Sequence, residues 1–141
     1  MFKFYGSLIA GLTALALVPP RLPAAQRLTI LYLNDTHGQI EAIKAEDGKT
    51  YGGFARIAFL VDSLRKEPEA YSHRLYFLHA GDALLGPPLS NAFKGELDFE
   101  CFSKMGLTAM SVGNHEFDFG PKRILELRDL GSFPLLSANI T

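Results

Sequence analysis

Strand-forming and helix-forming segments alternate along this chain, and that order limits its fold more than any other feature. Leu28–Leu33 is a continuous apolar run rich in strand formers, as expected of a strand buried on both faces. Phe54, Ile57, Ala58, Leu60, Val61 and Leu64 recur at spacings of three and four and predict a helix over 54–66, stopped before Pro68. Arg74–His79 reads as the second strand, with Gly86-Pro87-Pro88 breaking the chain behind it. Residues 96–105 carry an apolar stripe through Leu97, Cys101, Phe102 and Met105 and read as a helix closed by Gly106. Thr108–Val112 is the third strand, Pro121–Leu130 a helix with proline in its first turn, and Phe133–Ala138 a fourth strand. The polar stretch from Gly38 to Gly53, with Asp47-Gly48 as a turn signal, separates the first strand from the first helix. This order predicts an α/β fold with a mostly parallel sheet and helices.

In such folds ligands gather beyond the carboxyl ends of the strands. Three polar clusters fall there: Asp35-Thr36-His37, Gly81-Asp82, and Gly113-Asn114-His115-Glu116-Phe117-Asp118. Asp35 and His37, two residues apart on an extended strand end, project to one side, so one metal can take both. Asp82 follows a glycine that lets the backbone turn tightly, and its lone carboxylate could bridge two metals. Asn114 offers a neutral oxygen, while His115 points away from it. Asp118 lies within reach of the other imidazole nitrogen, which fixes the tautomer and favours the charged form. A charged His115 beside a phosphate stabilises developing negative charge or protonates the leaving oxygen. Two metals about 4 Å apart would bind both phosphate and the attacking hydroxide. Glu116 is expected to be hydrogen-bonded beneath the site, Cys101 to pack in the core, and Phe117 and Phe119 to pack the loop. His79 is either a partner behind the metal ligands or a histidine satisfied at the sheet, and His73 is read as a surface residue.

The 141 residues, 48% of them apolar, suit one modest domain. A formal charge of −1 with both signs interspersed provides no basic field for nucleic acid or anionic membrane. The N-terminus differs from the rest: Lys3 precedes the apolar Phe4–Val18, and Pro19 to Ala25 follow. Residues 1–25 read as a secretory signal peptide cut after Ala24 or Ala25, leaving 26–141. Its apolar stretch falls short of the roughly 20 residues that a spanning helix needs, so no stable membrane span is expected. With Cys101 as the only cysteine, export to the periplasm or the exterior is read from the leader alone.

Asp35-x-His37, Gly81-Asp82 and Gly113-Asn114-His115-Glu116 together resemble the binuclear metallophosphoesterases, the calcineurin-like superfamily. Leu33-Asn34-Asp35-Thr36-His37-Gly38, Gly52-Gly53-Phe54-Ala55-Arg56, Pro88-Leu89-Ser90-Asn91 with Lys94-Gly95, and Gly113 through Gly120 are similar to the 5'-nucleotidase and UDP-sugar hydrolase branch. The likeness runs from about Leu28 to Ile140. It implies the first half of a layered α/β/β/α sandwich and two divalent cations, with Mn, Zn or Fe equally suited to the donors. It further implies that Asp35 and His37 bind the first metal, Asp82 bridges, Asn114 binds the second, and His115 with Asp118 forms the catalytic dyad. The implied reaction is hydrolysis of a nucleotide or related phosphate ester by hydroxide activated at the metals. Family members continue with a further histidine, a His-x-His motif and a C-terminal domain, whereas His73 and His79, the other two of the four histidines here, precede the third cluster. The resemblance therefore implies a truncated N-terminal part of a catalytic domain, weak or inactive by itself. Within the family, 2',3'-cyclic phosphodiesterase or UDP-sugar hydrolase activity are alternatives, with thiosulfohydrolase disfavoured by Pro88-Leu89-Ser90-Asn91. Outside it, the alternative is a non-catalytic remnant or a metal- or phosphate-binding half-protein.

Overall fold

A computed structural model of the chain describes residues 28–66 and 75–140. The expected leader over 1–25, Pro68, His73 and Arg74 lie outside the described residues. In chain order the elements are β1 (Thr29–Leu33), the short strands β2 (Ile43–Lys44) and β3 (Thr50–Tyr51), α1 (Phe54–Lys66) and β4 (Leu75–His79). There follow α2 (Pro88–Phe93), α3 (Glu96–Lys104), β5 (Ala109–Ser111), a single 3₁₀ turn at His115–Phe117, α4 (Pro121–Leu130) and β6 (Leu135–Leu136).

The main sheet has the order β1-β4-β5-β6, with each neighbouring pair parallel. Every crossover advances one strand in the same direction, so right-handed connections carry all the helices to one face. That face presents Leu31, Leu33, Leu75, Phe77, Met110 and Leu135 to Phe54 and Val61 of α1, Phe99 and Phe102 of α3, and Leu127 of α4. Fully burying one such side chain is worth about 1.5–3 kcal/mol, and truncating Phe102 to alanine would cost about 3–5 kcal/mol.

The opposite face is largely bare: Ile30 is 54% exposed, Tyr32 69%, Tyr76 42% and Leu136 53%. The expectation that the first strand is buried on both faces is therefore corrected. β1 is an edge strand, and Leu28–Leu33 is apolar on a side that no helix of the described residues covers.

The termini of the helices follow from their sequences. Arg65, in the last turn of α1, donates to the carbonyls of Met105 at 2.7 Å and Gly106 at 2.8 Å, satisfying acceptors that the end of α3 leaves open. Pro121 opens α4 where a missing N–H costs nothing. α2 begins at Pro88, inside the segment read from sequence as a break, and β2 pairs antiparallel with β3 across the Asp47-Gly48 turn.

Candidate metal centre

Three backbone contacts zip the loop after β1 to the loop after β4. Asp35 N–H donates to Gly81 O at 3.0 Å, His37 N–H to Asp82 O at 3.2 Å, and Gly38 N–H to Ala83 O at 2.7 Å. To run side by side the two loops leave the extended region: φ is +50° at Asp35, +42° at His37 and +55° at Asp82. Left-handed backbone costs a residue with a side chain of order 1–3 kcal/mol and persists only where its surroundings hold it. Asp35 and His37 thus reach one side through left-handed turns, not along an extended strand end as the sequence suggested, with Asp35 Oδ1 3.9 Å from His37 Nε2.

Glycines bring in the third loop. A Cβ on Gly81 would lie 2.8 Å from Gly113 N, and one on Gly113 would lie 2.3 Å from Asp82 Oδ1. Beneath this contact sits Glu116, with none of its surface exposed. Its carboxylate accepts the N–H groups of Asp82 at 3.0 Å, Ala83 at 2.7 Å and Gly113 at 2.6 Å. That is the role expected of it. Asp82 Oδ1 in turn accepts the His115 N–H at 3.0 Å.

The result gathers His37, Asp82 and His115, one potential ligand atom from each lying within 4.8 Å of the others. The His37 and His115 rings meet edge to face with centroids 4.9 Å apart. His37 Nδ1 contacts the Leu84 carbonyl at 3.1 Å, and because a carbonyl only accepts, the proton sits on Nδ1 and leaves Nε2 free. Asp35 is exposed and accepts Asn34 Nδ2–H at 2.5 Å. Asn114, also exposed, opens the 3₁₀ turn without a side-chain capping hydrogen bond. Asp82 and His37, which converge at strand ends and are each already oriented by a second partner, suit a divalent cation, with the His115 ring placed beside them.

His115 Nδ1 lies 2.5 Å from Asp118 Oδ2. That hydrogen bond raises the imidazole above its ordinary pKa and outweighs the opposing effect of burial, with further support from the charges of Asp118, Asp82 and Glu116. His79 behaves oppositely. Burial pushes it down to about 4, against the pull of Asp35 and Asp82. Gly81 N–H donates to His79 Nδ1 at 3.0 Å, so the single proton lies on Nε2 and is given to Thr36 Oγ1 at 2.9 Å. His79 is thus satisfied at the sheet, and its bond to Thr36 also steadies the loop between Asp35 and His37. Thr36 and the Leu84 carbonyl carry no signal in the sequence that marks them for these tasks.

The carboxylate–imidazole cluster lies at the carboxyl ends of parallel strands, where α/β folds gather their ligands, and the family profile described as calcineurin-like phosphoesterase matches residues 28–139. The chain belongs to that family. It is 37% identical to a 5'-nucleotidase of Vibrio cholerae over 95% of its own length and 24% of that protein. It is likewise 37% identical to a 5'-nucleotidase of Mus musculus over 92% of its length and 23% of that protein. Among solved structures, a Thermus thermophilus 5'-nucleotidase precursor superposes with a TM-score of 0.71 and 31% identity, over 79% of this chain and 22% of that one. The NAD nucleotidase of Haemophilus influenzae gives 0.69 and 32%, over 79% and 20%. The chain thus spans about a quarter of the length of the curated relatives it matches, 24% in the first case.

Proposed function

We propose that residues 28–140 form one wall of a two-cation phosphoesterase site acting on nucleotides. The observation that carries this reading is the convergence of His37, Asp82 and His115 within 4.8 Å, beside the 2.5 Å His115–Asp118 pair. In this reading Asp35 and His37 would hold one divalent cation, Asp82 would be shared, and Asn114 would serve the second. Divalent cations bound there would polarise phosphoryl oxygens and lower the pKa of water. The chain's own residues do the rest. Glu116 fixes Asp82 and Gly113 from below, and Asp118 keeps a proton on His115 Nδ1. The charged ring would then have its Nε2–H left to offer a bound phosphate, where it could neutralise developing charge or protonate the leaving oxygen. The 5'-nucleotidase relatives support a nucleotide as the ester, and the reading of residues 1–25 as a signal peptide supports export to the periplasm or exterior.

Two cations with about four donors each need more than Asp35, His37, Asp82 and Asn114 provide. The remaining donors are therefore proposed to come from outside residues 28–140, and the 141-residue chain alone is expected to release little or no phosphate from AMP. Calorimetry with Mn²⁺ tests the reading: binding should be present in the native chain and lost in both Asp35→Ala and Asp82→Ala. Absence of any binding would favour a non-catalytic remnant. AMP turnover by the 141 residues that vanishes in Asp82→Ala would show that they suffice. N-terminal sequencing of exported protein should begin at Ala25 or Gln26.

A further inference from the structure

Asn91, in the Pro88-Leu89-Ser90-Asn91 segment of α2, has no part in the site as described so far. Its amide closes a ring on one loop residue: Gly86 N–H donates to Asn91 Oδ1 at 3.0 Å, and Asn91 Nδ2–H donates to Gly86 O at 2.7 Å. Gly86 in turn rests on the metal-centre loop, since a Cβ there would come 1.6 Å from the His37 carbonyl oxygen. Between Gly86 and Leu84, Leu85 is left-handed at φ +63°, a backbone state that needs support from outside. Leu84 then presents its carbonyl to His37 Nδ1 at 3.1 Å. The neighbouring Ser90 occupies the space over Gly38, 2.3 Å from where a Cβ would be, and donates to the buried Asp98 at 2.6 Å. α2 is thereby wedged against both sides of His37.

We infer that Asn91 is a positioning residue for His37: by clamping Gly86 it sets the Leu84 carbonyl on Nδ1 and so decides that Nε2 is the nitrogen presented to a cation. The consequence for binding rests on the reading of His37 as a metal ligand. The contact with Nδ1 does not. An imidazole that loses such a partner loses its fixed tautomer and ring orientation, and loss of a partner of this kind typically lowers metal affinity by about 10–100-fold.

Nitrogen-15 chemical shifts of the His37 ring in the metal-free full chain, above neutral pH, test the inference directly. Wild type should show a protonated Nδ1 and a bare Nε2. In Asn91→Ala the two nitrogens should move toward a tautomer mixture while His79 keeps its proton on Nε2, and the Mn²⁺ affinity should fall about tenfold. Asn91→Asp keeps the acceptor for Gly86 N–H and lacks the donor for its carbonyl; it should fall between the two, and it serves if the alanine variant does not fold. Unchanged His37 shifts in the folded variants, or a wild-type His37 protonated on Nε2, would overturn the inference. A tautomer change in a protein that binds no Mn²⁺ would uphold Asn91's role and remove the ligand reading. Undiminished Mn²⁺ binding with an unmoved tautomer would do the reverse.

Discussion

Glu116 holds Asp82 from behind: Oε2 accepts the Asp82 N–H at 3.0 Å and also the Gly113 N–H at 2.6 Å, while Oε1 takes the Ala83 N–H at 2.7 Å. One buried carboxylate thus ties the loop after β4 to the loop after β5. Glu116→Gln would turn an amide NH₂ toward backbone donors and leave at least one of them without an acceptor. The expected cost is about 2–3 kcal/mol in urea unfolding, with weaker Mn²⁺ binding, although Glu116 touches no candidate cation position. A variant as stable as wild type would show that the three bonds are not needed.

Gly113→Ala tests the closeness of the same loops. Its Cβ would sit 2.3 Å from Asp82 Oδ1 and 2.7 Å from Asp82 N, so the carboxylate has to move. We expect a stability loss of about 1–3 kcal/mol and at least tenfold weaker binding of Mn²⁺ by calorimetry.

Asp118→Asn should lower the titration midpoint of His115, because the hydrogen bond that His115 donates to Asp118 is the largest cause of its upward shift. In wild type the folded pKa exceeds the unfolded one, so this pair's contribution to stability is complete below the unfolded value and disappears as pH rises through the folded value. Proton–nitrogen NMR titration of the metal-free chain should show the midpoint fall in the variant. An unmoved midpoint would mean that the 2.5 Å contact does not persist in solution.

Asp98 is fully buried, and its Oδ1 has no partner among the described residues. Burial raises its pKa, opposed by the Ser90 hydrogen bond. For a carboxyl shifted this way the sign is opposite to the usual one: stability falls as pH rises from the unfolded value to the folded one, and the cost is then constant. Asp98→Asn should therefore stabilise the chain at neutral pH by about 1 kcal/mol, with the gain shrinking toward pH ~4 in denaturant titrations.

The helices were legible where spacing had length to work with: the stretches read over 54–66 and Pro121–Leu130 coincide with α1 and α4. The strands lie where the apolar runs fall but are shorter than those runs, as with Leu135–Leu136 inside Phe133–Ala138, because apolar character continues after pairing stops. α2 was hidden by its own start, since Gly86-Pro87-Pro88 reads as a break although proline is welcome in a first turn. The two-residue strands Ile43–Lys44 and Thr50–Tyr51 are too short to show alternation. At the site, the side chains proposed to hold cations and move a proton stand out in the sequence by type and order. The Leu84 carbonyl does not, because a backbone acceptor looks the same at every position until the fold selects one.

Left-handed backbone at Asp35, His37 and Asp82 has an evolutionary consequence. Replacing any of them with glycine would relieve local strain by about 1 kcal/mol and remove a proposed cation ligand, so under the proposed function durability and chemistry are opposed at three points in the same small region. Selection for the reaction is what would keep the costlier residues. A sister lineage freed from that selection would be expected to drift first to glycine or asparagine at these positions, growing sturdier as it falls silent, and such an exchange would distinguish a silent copy from a working one.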